Sequence, residues 1–102
     1  MTEERLKRIQ EMEDILDKSE IFFKEAETML EKWKAFHPEF KKLVDYYYSP
    51  QWQEDYDASN RGEVPKEIPH GVLSEDLIYN AMGEQRDLTM AYLKYMVTLL
   101  DE

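Results

Sequence analysis

An all-α protein is predicted: a long antiparallel helical hairpin with one or two short helices packed across it, forming a single domain over residues 1–102. Three features of the chain predict it. Between Glu3 and about Phe36, apolar residues recur at helical spacing as Ile9, Met12, Leu16, Phe23, Ala26, Leu30 and Trp33, interrupted only by Ser19. A second row, Ile15, Phe22, Met29 and Phe36, lies beside the first and makes the face wide. The C-terminal part repeats the pattern in Ile78, Ala81, Gln85, Leu88, Tyr92, Tyr95 and Leu99, and no stretch reads as a strand.

Taken in order, the first helix opens on Thr2 as N-cap, with Glu3 and Glu4 in the positively polarised first turn. Four acid-before-base pairs, Glu3 with Lys7, Glu4 with Arg8, Asp14 with Lys18 and Glu20 with Lys24, are placed to support it from the surface. A helix from Glu3 to Phe36 is roughly 50 Å long, more than the span of a compact domain of ~100 residues. Its apolar face therefore needs a cover, expected from the closing helix of the same or a neighbouring copy, with Phe23 and Leu30 beneath it. Pro38 cannot donate its amide and restricts His37, which predicts a helix end near Phe36 and a new helix from Pro38 to about Tyr48. A kink in one long helix is the alternative, because the apolar phase continues through Phe40, Leu43, Val44 and Tyr47.

Ser49 and Pro50 read as an N-cap and a first-turn proline opening a short helix to about Asn60, stopped by Asn60-Arg61-Gly62. Glu63 to His70, with Pro65 and Pro69, is a loop with Val64 and Ile68 as expected anchors. Ser74 then caps the last helix, Glu75 and Asp76 occupy its first turn, and Leu73 is placed to staple against Ile78. Gly83 is a candidate bend or break within it.

Composition narrows the function classes. The chain has no Cys, which removes disulfides, thiolate catalysis, thiolate metal sites and iron-sulfur clusters. No apolar run is long enough to span a bilayer and the N-terminus lacks a signal-peptide core, so a cytoplasmic location is expected. The net charge of -10 is uneven: residues 1–44 carry eleven acids against nine bases, residues 45–102 twelve against four. That balance speaks against nucleic-acid binding, which needs a basic surface. No glycine-rich phosphate loop, paired Glu-x-x-His motif or nucleophile arrangement is present, so no cofactor, metal ligand or catalytic residue is assigned.

The densest functional candidate is the aromatic and acidic stretch from Tyr46 to Asp57. Tyr47, Trp52, Asp55 and Tyr56, with His70 from the loop, could form a cup for a polar or cationic ligand. Equally, they could form a corner where a short helix crosses the hairpin, each phenol or indole needing one polar partner.

The run Tyr46-Tyr47-Tyr48-Ser49, Trp52, Asp55-Tyr56, Gly62, Pro65 and Gly71-Val72-Leu73-Ser74-Glu75-Asp76, followed by Tyr79, resembles a family of small bacterial proteins catalogued as a domain of unknown function. The resemblance covers nearly the whole chain and extends to Met12-Glu13 in the first helix; the chain departs from it at Gly83 and at Pro38. It implies a shared helical fold and brings no activity, ligand or catalytic residue. The expected function is a non-enzymatic helical interaction or structural module, whose partner is a second copy or an unidentified protein. The competing expectations are a small-molecule binder or hydrolase centred on the aromatic cluster and an acidic regulator of a basic protein.

Overall fold

The computed structural model describes residues 1–102. The chain is all-α: α1 spans Glu3–Tyr47, α2 Pro50–Asn60 and α3 Leu77–Leu100, with a 3-10 turn at Gly71–Leu73 between α2 and α3. Contacts divide it into two units, Met1–Glu39 and Phe40–Glu102. No helix is long and apolar enough to cross a membrane.

The first unit is helix from Glu3 onward. Thr2 caps it as the sequence predicts, its Oγ1 accepting the Arg5 amide at 3.2 Å. None of the four expected acid-before-base pairs closes. The ion pairs that form on α1 are Lys34 with Glu31 and Lys41 with Asp45, all well exposed. Such pairs gain so little over hydrated side chains that spacing alone does not decide which ones close.

Pro38 does not end α1, which runs without a break to Tyr47. The preference for a break at this position is thereby corrected. Proline removes one backbone hydrogen bond and crowds the preceding turn, a local cost of about 3 kcal/mol. Beyond it, Phe40, Leu43, Val44, Tyr46 and Tyr47 are all at least half-buried in the second unit, and continued helix is what places them there. Gly83 likewise lies inside an uninterrupted α3.

The wide apolar face of α1 is open to solvent. Phe23 is 65% exposed and Leu30 52%, where the sequence predicts a covered seam. Indeed no residue of α1 is fully buried.

The second unit is built around Ile78, which retains only 2% of its surface. Side-chain hydrogen bonds tie together the end of α1, α2, the 3-10 turn and Glu75 just ahead of α3. Ser49 caps α2, accepting the Trp52 amide while donating its own hydroxyl to the Tyr46 carbonyl, and Pro50 takes the first position. The helix stops at Gly62, whose φ of 74° lets its amide reach the Ser59 carbonyl and that of Glu63 reach the Ala58 carbonyl. This is the double bond of a Schellman turn, and it needs the left-handed residue that glycine supplies. Arg61 grips Glu63 across the same turn through two hydrogen bonds of 2.9 and 3.1 Å, and this contact holds the Glu63 carboxyl below the usual range. Of the two expected loop anchors, Val64 is half-buried and Ile68 is 54% exposed.

Candidate functional site

The aromatic residues singled out in the sequence sit where α2 meets the end of α1 and the start of α3. Trp52 and Tyr56, one helical turn apart on α2, stack with ring centres 5.1 Å apart and planes 17° from parallel. Tyr47, near the last turn of α1, meets Trp52 edge-on at 5.4 Å, and Tyr48 meets Tyr47 at 5.1 Å. Thus Tyr47, Trp52 and Tyr56 come together as one ring cluster.

Their polar tips all point to partners within the chain. The Trp52 indole donates to the Val72 carbonyl at 2.8 Å, tying α2 to the 3-10 turn. The Tyr56 hydroxyl donates to the Glu75 carboxylate at 2.9 Å, and the Tyr47 hydroxyl to the Glu75 carbonyl at 3.3 Å. Two elements thereby hold Glu75 from opposite ends of one residue. Ser74 accepts the Leu77 amide at 3.1 Å, and α3 begins at Leu77, two residues later than a cap at Ser74 predicts. With its carbonyl and side chain both held by tyrosines, Glu75 belongs to the turn rather than the helix.

Asp55 and His70 take other partners. Asp55 is exposed and accepts the Tyr46 hydroxyl at 2.6 Å, joining α2 to α1. Burial, the hydrogen bond to Asp55 and the nearby Asp55 charge together push the Tyr46 phenol up to about 12. His70 stands between the Ser59 hydroxyl, 2.9 Å from Nδ1, and the Pro65 carbonyl, 3.2 Å from Nε2. The imidazole thus ties the end of α2 to the proline loop.

Three further residues take part: Tyr46, Glu75 and Ser59. Tyr46 pairs with Asp55 across nine residues, Glu75 receives bonds from residues 19 and 28 positions away, and Ser59 reaches His70 across eleven. None of these pairs lies within one continuous helix, so helical spacing does not reveal it. The one signal available was the run of three tyrosines before Ser49, more phenols than one helix face can bury.

Two further acids near the cluster are engaged in exposed pairs: Asp45 with Lys41, and Asp57 accepting from Gln53 at 3.1 Å. No group of three or more His, Asp or Glu side chains converges so as to hold a metal ion. A surface depression of about 580 Å³ lies along α3, lined by Tyr79, Asn80, Gly83, Glu84, Asp87 and Leu88. Its volume would suit a small ligand, but its walls come from a single helix and include none of the clustered aromatics.

What this arrangement does chemically is cross-link. Hydrogen bonds from aromatic side chains join α1, α2, the 3-10 turn and the Glu75 turn that leads into α3, and no buried polar side-chain atom is left without a partner.

Comparison with known families matches residues 9–95 to the domain of unknown function DUF4298. The chain belongs to the DUF4298 family. Its match covers α2, the 3-10 turn and most of α1 and α3, so the aromatic corner and the open face of α1 both lie within the family domain. No curated protein and no solved structure matches the chain.

Proposed function

We propose that this DUF4298 chain is a non-enzymatic helical interaction module in which α1 is the association face and the aromatic corner is its structural anchor. The observation that carries this reading is that α1 is a 45-residue helix with no buried residue, although Phe22, Phe23 and Leu30 are 52 to 65% exposed. Helix propensity alone gives marginal stability in water, and amphipathic helices draw most of theirs from packing. Covering one large apolar side chain contributes roughly 1.5 to 3 kcal/mol. A partner presenting an apolar helix face supplies that burial, and an exposed apolar strip of this extent marks an interaction surface.

The corner supports the same reading from the other side. Tyr47, Trp52, Asp55, Tyr56 and His70 each have an internal partner, which suits a brace that fixes the chain after α1.

Sedimentation of the full chain over a wide concentration range tests the proposal, alongside the double variant Phe23→Glu with Leu30→Glu. The wild type is expected to associate, and the variant to remain monomeric with lower helix content. A wild-type monomer whose amides in residues 9–36 exchange slowly with solvent hydrogen would mean that the chain covers its own face. That result would end this reading.

A further inference from the structure

We propose, building on the association role of α1, that its face is covered by α1 of a second copy of this chain running antiparallel, with Phe23 opposite the partner's Trp33 and Ser19 opposite the partner's His37. Three features of α1 bear on it: the charge row and the apolar flank set the antiparallel sense, and the polar layer of the seam selects this register.

The first is charge. One flank of the apolar seam is the row Glu13, Glu20, Glu27, Lys34 and Lys41, each one heptad after the last, with the sign changing once along it. In an antiparallel pair this row lies beside its own reversed copy. Glu13 then faces the partner's Lys41 and Glu20 the partner's Lys34, each pair occurring twice by symmetry. Lys34 and Lys41 now pair with Glu31 and Asp45, but these are exposed contacts that exchange at little cost.

The second is the seam itself. The same register sets Phe23 against the partner's Trp33 and Ala26 against the partner's Leu30. Ser19 and His37 are the two polar interruptions of the seam, and they fall in one layer. The Ser19 hydroxyl donates to the Leu16 carbonyl at 2.6 Å, which leaves its oxygen able to accept from an imidazole N–H. Shifting the pair by one heptad puts Ser19 opposite the partner's Leu30 in one direction, and opposite the partner's Val44 in the other. Either shift leaves both polar residues against apolar ones.

The third is the opposite flank, which is apolar along the exposed part of α1: Ile15, Phe22, Met29 and Phe36. The antiparallel pair lays this row on itself, so that Phe22 meets the partner's Phe36. A parallel pair would instead set Glu20, Glu27 and Lys34 against that greasy row and leave the change of sign without use. The register has one unfavourable contact, Glu27 beside the partner's Glu27 at the two-fold axis.

The natural chain has no Cys, so single thiols can be introduced without background. Full-length Glu13→Cys and Lys41→Cys chains, mixed and treated with a short thiol cross-linker, are expected to join to each other, while Glu13→Cys alone does not join to itself. In sedimentation, Glu20→Lys should weaken the dimer roughly three- to tenfold, and adding Lys34→Glu to the same chain should restore it. Within one chain these positions are about 21 Å apart, beyond the reach of screened charge, so rescue requires a second copy. A dimer in which Glu13→Cys joins itself, or in which the double swap fails to rescue, overturns this register while leaving α1 as an association face. A chain that is monomeric at every concentration overturns the dimer outright.

Discussion

Residues 1–39 and residues 40–102 differ in whether any part of them closes on itself. The first unit places Phe22, Phe23 and Leu30 on a helix with nothing over them, whereas the second closes one corner near Ile78 with tyrosine and tryptophan hydrogen bonds and leaves Leu88, Leu93 and Leu99 of α3 exposed. Periodicity is enough to make an amphipathic helix. Closing a corner takes partners distant in sequence, and the two units differ in having them.

The largest expected effect lies in the second unit. Ile78→Ala should cost about 2 to 5 kcal/mol, because it removes the one side chain that is almost wholly buried and leaves a cavity among elements that other bonds hold apart. Phe23→Ala, measured by urea denaturation at concentrations where the chain is monomeric, should change stability by less than about 0.5 kcal/mol. Equal losses at the two positions would erase the contrast between the units.

Two glycines sharpen it further. An added Cβ would meet no atom within 4 Å at either Gly62 or Gly83, so sterics against neighbours do not distinguish them. Backbone conformation does. Gly62→Ala should cost about 1 to 2 kcal/mol, since φ is 74° there and the Schellman turn ending α2 depends on it. Gly83→Ala should raise stability by about 1 kcal/mol, because the residue sits inside a regular helix where alanine is the better former. Thermal denaturation of both variants checks the opposite signs.

How much of this was legible beforehand follows the same division. The helices, the Thr2 and Ser49 caps and the Gly62 stop were readable because each depends on residues within a few positions of one another. Pro38 was misread because a local penalty was weighed against a local alternative, while the deciding burial of Phe40, Leu43 and Val44 comes from the second unit. Tyr47, Trp52 and Tyr56 were recognisable as a cluster from their spacing. That Asp55 would serve Tyr46, and Glu75 both Tyr47 and Tyr56, was not, because the partners lie on different elements.

The smallest effect probes the bond between α1 and α2. The Tyr46 phenol, ordinarily near 10.0, is raised to about 12 in the folded chain by burial and by Asp55. Below pH 10.0 both folded and unfolded chains keep this proton, and the contribution to stability is fully present. As pH rises from 10.0 through about 12, the unfolded chain loses the proton first, so stability falls across that window. Tyr46→Phe should therefore cost about 0.5 to 1.5 kcal/mol at neutral pH and show a shallower alkaline decline than the wild type. Every other side chain is common to the two proteins, so the difference between their urea midpoints isolates Tyr46. Parallel curves from neutral to alkaline pH would mean that the hydroxyl makes no bond to Asp55, and that the rings alone hold α2 against α1.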